Sequence, residues 1–150
     1  MFMIIHTLLG SLIGVELQSV TLIIILAVAS HFLLDWIPHW DGDYDRNKFH
    51  NSGKYEAKKS KTVLIAIDSA ITLITLFILY FQFSNKFLLI GAIAAVSPDI
   101  LSMGYYTKLK ERKTFMGYLK FHSKIQKEVN WKKGMLIQTV VLIALAQILI

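Results

Sequence analysis

Between His31 and Asp41 the stretch HFLLDWIPHWD places two histidines and two aspartates at the end of an apolar run. His31 and Asp35 are four residues apart, so on a helix both project from one face. That spacing suits two ligands on one metal, or one ligand and the carboxylate that orients it; the blander reading is a capping pair at the helix end. Pro38 disfavours helix at Ile37, so His39 and Asp41 can turn back toward His31. Imidazoles and carboxylates without thiolates fit zinc, or manganese or iron, as one or more divalent ions. Such an ion with an open position polarises an ester or phosphoryl oxygen and acidifies bound water. A spare carboxylate, Asp68 or Asp41, would then serve as general base.

These residues sit in a chain of 150 residues that is 55% hydrophobic, with only two prolines and no cysteine. Recurring apolar stretches of near-spanning length make it an all-α, polytopic membrane protein of one domain. The absence of cysteine excludes disulfides, thiolate metal sites and a cysteine nucleophile. There is no GxSxG, no HExxH and no phosphate-binding glycine loop. The start MFMIIHTLLG lacks the basic region of a signal peptide and reads as mature structure.

Five apolar helices are expected, over about 2–17, 20–37, 62–81, 87–103 and 134–150. The short turns ELQS and QFSNK make the first two and the next two antiparallel hairpins. An amphipathic helix over about 113–130 would lie on the membrane surface, with Phe115, Leu119, His122, Gln126 and Val129 along one stripe. With these spans, both long polar loops fall on the same side as the N-terminus. Every lysine and arginine except Lys86 falls in those loops, so that side is expected to be cytoplasmic and the membrane to be the bacterial inner one. The net charge of +6 then requires no nucleic acid; basic loops beside a membrane attract anionic lipid head groups.

The topology gathers every histidine and aspartate on that one side. His6 lies near the end of helix one and Asp68 two turns inside helix three. Asp99 follows Pro98, whose ring interrupts the backbone ladder near the end of helix four, and an irregular backbone at membrane depth is tolerated where it lines a cavity. His122 lies on the apolar stripe. Ionisable groups are costly in lipid and usually face a bundle interior, and a divalent cation would keep such acids charged. The expected ligands are therefore His6, His31, Asp35, His39, Asp99 and His122. Each also has a plainer reading: an interfacial histidine for His6, a solvated loop residue for His39, a surface residue for His122, and a hydroxyl-bonded acid for Asp68. Trp36 and Trp40 are expected as interfacial anchors and His50 as inert. DGDYDRN at 41–47 begins like a calcium loop, but Arg46 stands where the glycine is required and Ser52 where the glutamate is. Asp43 and Asp45 are accordingly expected to be solvated.

SHFLLD followed by PHWD, after an N-terminal HT, resembles the bacterial membrane-bound metal-dependent hydrolases, including the family described as LexA-binding, inner-membrane-associated hydrolases. HFLLDWIPH is also similar to the HxxxD segment of zinc-dependent phospholipase C and the related single-strand nucleases. The resemblance implies an all-helical fold, zinc bound by His31 and Asp35, and hydrolase activity. The PDxDH and HRxxTHS elements of the membrane hydrolases are absent. The combined expectation is hydrolysis of an ester or phosphoester of a membrane lipid at the cytoplasmic face, with the surface helix as a lid. The rivals are a small ion or proton transporter and a non-catalytic membrane scaffold.

Overall fold

The computed structural model describes residues 1–42, 46–56 and 59–149; Asp43 and Asp45 lie outside them. The described residues are all-α, in the order α1 (Met3–Glu16), α2 (Val20–Trp36), α3 (Arg46–Ser52), α4 (Lys59–Phe83), α5 (Lys86–Ser102), α6 (Lys113–Ile125) and α7 (Trp131–Leu149). Short 3-10 turns at Met103–Tyr106 and Lys108–Glu111 lead from α5 to α6.

Among the described residues three segments are long and apolar enough to cross a membrane: Lys59–Phe83, Lys86–Tyr106 and Trp131–Leu149. They expose Leu73, Phe77, Phe81, Ile93 and Leu136, as a lipid-facing surface does. The expectation of five spanning helices is corrected by α1 and α2, which have only 14 and 17 residues. At 1.5 Å per residue α1 is about 21 Å long, short of a hydrocarbon core of about 30 Å. The polar turn after Glu16 and the proline after Ile37 are what stop the two helices.

Helix α1 compensates for its length by position. It touches α2, α4, α5 and α7 and buries Ile5, His6, Thr7, Leu8, Gly10, Ser11 and Gly14, so its surroundings are protein on most sides. Its closest neighbour is α5. A Cβ on Gly14 would lie 2.1 Å from the Phe87 carbonyl oxygen, and one on Gly91 would lie 2.0 Å from that of Gly10. The spacing Gly10–Gly14 is the small-residue pattern that lets membrane helices approach backbone to backbone. This contact fixes α1 against α5 and so sets His6 and Asp99 at a common level.

The other end of the bundle is shaped by two interruptions. Pro38 leaves Ile37 extended (φ −67°, ψ 134°), and the chain turns back. Helix α6 stops at Ile125, because Gln126 is extended and the backbone beyond it pairs elsewhere. His39 N–H donates to the Lys127 carbonyl at 2.9 Å, Val129 N–H to the His39 carbonyl at 3.1 Å and Lys127 N–H to the Asp35 carbonyl at 3.4 Å. Those bonds are the physical reason that the helix expected over 113–130 is five residues shorter at its end. The apolar stripe is also turned differently from a helix lying on lipid: Phe115 and Leu119 pack with Phe49, against Tyr55 and Tyr105, and His122 is carried into the bundle.

Candidate metal centre

Four side chains from three helices converge: His31 and Asp35 from α2, Asp99 from α5 and His122 from α6. One ligand atom of each lies within 4.8 Å of the others. His31 Nε2 is 3.0 Å from His122 Nε2 and 3.4 Å from Asp35 Oδ2. His122 Nε2 is 3.1 Å from Asp35 Oδ2, and Asp99 Oδ1 lies 3.8 Å from His31 and 3.9 Å from His122. His31 and Asp35 are fully buried, whereas the Asp99 side chain is 27% exposed.

The proton positions follow from the neighbours. His31 Nδ1 is 2.8 Å from the Ala95 carbonyl oxygen, which can only accept, so Nδ1 carries the hydrogen and Nε2 presents a lone pair. Ser102 Oγ donates to the Pro98 carbonyl at 2.9 Å and stands 3.0 Å from His122 Nδ1. With its hydrogen committed, that hydroxyl accepts from His122 Nδ1–H and leaves His122 Nε2 bare as well. With both rings neutral, two lone pairs and the carboxylate oxygens face one another, a repulsive set that protons on the rings or a cation between them would relieve; Asp35 Oδ2 also accepts from Gln126 Nε2 at 3.3 Å.

The spacing agrees with a cation there. Donors bound tetrahedrally to zinc at about 2.0–2.1 Å sit about 3.3 Å apart, and the five separations above scatter around that value. Each imidazole is also held through its other nitrogen, the usual orienting arrangement at a metal. The group could therefore hold a metal ion.

Pro98 contributes to this geometry. It has no N–H to give the Ala94 carbonyl, and Ser97 Oγ takes that carbonyl at 2.8 Å. The next carbonyl, Ala95, is the one that orients His31, and Pro98's own carbonyl accepts from Ser102 and from the Tyr118 hydroxyl at 2.7 Å. The Ala95 carbonyl and Ser102 carry no type or spacing that marks them as metal partners in the sequence; only the three-dimensional path of α5 does.

His6, His39 and Asp41 surround the other oxygen of Asp35, outside the four-donor group. His6 Nε2 lies 3.2 Å from Asp35 Oδ1, a separation of an ion pair, but its angle leaves both ring nitrogens without a hydrogen bond. His6 is fully buried and stacks on His31, ring centres 4.1 Å apart. The Met1 ammonium donates to Asp35 Oδ1 at 2.7 Å, to His39 Nε2 at 2.8 Å and to Asp41 Oδ2 at 3.0 Å. Burial pulls this amine down, but the charges of Asp41, Asp35 and Asp99 outweigh it and push it up to about 10. Burial works to raise Asp41, and the Met1 ammonium overcomes it and holds the carboxyl well below the usual range.

Asp68, expected as a catalytic base, is placed differently. Its Oδ2 accepts from Met3 N–H at 2.6 Å and its Oδ1 from Ile4 N–H at 3.3 Å. It therefore caps the N-terminus of α1, where unpaired N–H groups and the helix dipole favour a carboxylate. His50 bonds Ser123 Oγ at 3.3 Å, away from the four donors. Trp36 is exposed under the Lys127 ammonium, while the backbone and Cβ of the half-buried Trp40 lie against Gly134.

A cavity of about 220 Å³ opens beside the four donors. Asp99, His122 and Asp41 lie on its wall with Lys61 and Asp68, and Leu64, Ile65, Met103 and Leu119 make its apolar sides. No protein-family model, curated protein or solved structure matches this chain.

Proposed function

We propose that the protein is a membrane-embedded, metal-dependent hydrolase of an ester or phosphoester, with a membrane lipid as its substrate. The observation that carries this reading is the convergence of two histidines and two aspartates, of which Asp99 and His122 stand on the wall of a mostly apolar cavity. The mixed nitrogen and oxygen set favours zinc over manganese or iron. The likeness of HFLLDWIPH to zinc-binding helical hydrolases points the same way. Depth favours lipid: the donors lie at the ends of the apolar helices, where the ester and phosphate groups of a bilayer are found. The basic loops on the same side favour the cytoplasmic face of the inner membrane and anionic head groups.

In this mechanism His31, Asp35, Asp99 and His122 would hold the ion, with His31 oriented by the Ala95 carbonyl and His122 by Ser102. A bound metal would supply Lewis acidity and acidify a water. Asp41, whose Oδ1 is buried without a hydrogen bond, would orient a water on the cavity wall and accept its proton, the Met1 ammonium beside Oδ2 keeping the carboxylate ionised and a weak base. Lys61 on the cavity wall adds positive charge for an anionic group. Leu64, Ile65 and Met103 exclude water around the adjoining acyl portion, and α6 covers the site through Leu119 and His122.

The test is turnover of phospholipid in mixed vesicles by the zinc-loaded, detergent-purified chain, read as released phosphate ester or fatty acid. Hydrolysis lost in Asp99→Asn supports the reading. A metal-loaded protein that turns over no ester or phosphoester, yet passes cations across vesicles, would replace it with the transporter. Wild type that binds no metal would leave the scaffold.

A further inference from the structure

We propose that, free of metal, the cavity wall works as a serine acyl hydrolase, with Ser102 as nucleophile, His122 as its general base and Asp35 as the carboxylate that orients the ring. The proposal does not depend on the metal reading above, because it concerns the hydrogens that these side chains carry when no ion is bound.

The three groups form an unbroken line. Ser102 Oγ is 3.0 Å from His122 Nδ1, and His122 Nε2 is 3.1 Å from Asp35 Oδ2. A hydroxyl within reach of an imidazole, itself held by a carboxylate, is the arrangement that activates a serine, and it is recognised by geometry rather than by sequence order. The ring is used here with Nδ1 toward the serine. Asp35 is fully buried, and its other oxygen meets the Met1 ammonium at 2.7 Å.

One assignment of hydrogens serves all of these groups. His31 gives its Nδ1 hydrogen to the Ala95 carbonyl, which leaves His31 Nε2 as an acceptor. A hydrogen on His122 Nε2 then lies between Asp35 Oδ2 at 3.1 Å and His31 Nε2 at 3.0 Å. In that tautomer His122 Nδ1 is bare and accepts from the Ser102 hydroxyl. The hydroxyl can turn away from the Pro98 carbonyl, because the Tyr118 hydroxyl donates to the same oxygen at 2.7 Å. The repulsion between two bare rings disappears without an ion.

The cavity supplies the place for a carboxylic ester of an acyl chain. Ser102 and His122 both line it, beside Leu64, Ile65 and Met103. Ser102 Oγ attacks the carbonyl carbon as its hydrogen passes to His122 Nδ1. The ester C–O bond breaks, the leaving alcohol oxygen takes that hydrogen, and the acyl group stays on Oγ. Water then attacks the acyl carbon and gives a hydrogen to Nδ1. The fatty acid departs as Nδ1 returns the hydrogen to Oγ. Lys61 brings positive charge to the same wall for the oxyanion. A cation on His122 Nε2 would stop this reaction, since the ring hydrogen then sits on Nδ1 and faces the serine.

The experiment treats the metal-stripped, full-length chain in detergent with a long-chain alkyl fluorophosphonate and locates adducts by peptide mass spectrometry. One adduct is expected, on Ser102. It should be absent from Ser102→Ala, slowed about 100-fold or more in His122→Gln, and slowed in wild type saturated with Zn(II). The zinc comparison needs no variant and so stands even if His122→Gln does not fold. No adduct, an adduct on Ser123 of the same wall instead, or labelling of His122→Gln at the wild-type rate overturns the proposal. A chain that binds zinc and is never labelled keeps the metal-dependent reading and loses this one; a labelled chain that binds no zinc does the reverse.

Discussion

His31 and His122 aim their Nε2 atoms at each other across 3.0 Å. The Ala95 carbonyl holds one ring and Ser102 the other. The pair stands 91 residues apart in sequence and is brought together by the packing of α6 under α2 and α5. A shared proton or a cation between the rings would relieve such a contact.

Removing either ring should remove the ion. In His31→Ala and His122→Ala, zinc content is expected to fall from stoichiometric to background after dialysis against a weak chelator, with helical content retained. Elemental analysis beside far-ultraviolet circular dichroism checks this. Zinc retained at full stoichiometry in both variants would show that the four donors are not its ligands.

Ser102→Ala isolates the orienting role. The hydroxyl touches no ligand atom of the site; it meets the far nitrogen of His122 and the Pro98 carbonyl. Loss of such a partner costs about 10–100-fold in metal affinity. Competition titration against a fluorescent zinc chelator should show that weakening at unchanged stoichiometry. Unchanged affinity would mean that His122 is held by packing with Tyr118 and Phe32 alone.

Asp68→Ala separates capping from catalysis. Loss of a carboxylate from the α1 N-terminus is expected to cost on the order of 1–2 kcal/mol, read as a lower midpoint of thermal unfolding in detergent. Metal content should stay unchanged, and so should turnover below the new midpoint. Abolished turnover with normal stability would restore the catalytic role that its apolar surroundings suggest from sequence.

That residue also shows where the sequence is legible and where it is not. Position along the helices placed Asp68 at the right end of the bundle, together with His31, Asp35, Asp99 and His122, because hydropathy sets the order of spans and hence which ends meet. The direction of a side chain about its helix axis is not set by hydropathy. In a membrane bundle both lipid-facing and buried surfaces are apolar, so nothing marks that Asp68 points at the backbone of α1 while Asp99 points at His122. The number of spanning helices reads too high for the same reason. The sequence of α1 is greasy enough for a membrane span, and only its enclosure by four other helices explains why 14 residues suffice. His122 was legible as a stripe residue, but a stripe does not tell whether lipid or protein lies beneath it.

The contact that makes those directions reproducible is the approach of α1 to α5, and it is the most sensitive point in the fold. Gly91→Ala would put a methyl group 2.0 Å from the Gly10 carbonyl oxygen, and Gly14→Ala would meet Phe87 backbone at 2.1 Å. Neither backbone can rotate aside as a side chain would, so the helices must separate. Overpacking of this kind costs about 1–3 kcal/mol or more, and the separation would carry His6 away from Asp35 and Asp99. Both variants should therefore unfold at lower temperature and bind zinc more weakly, whereas Gly117→Ala, where an added Cβ meets nothing within 4 Å, should change neither. Unfolding midpoint and zinc affinity measured on all three would check the coupling. If Gly91→Ala lowered stability while leaving zinc affinity at the wild-type value, the α1–α5 contact would hold the bundle together without setting the donor geometry.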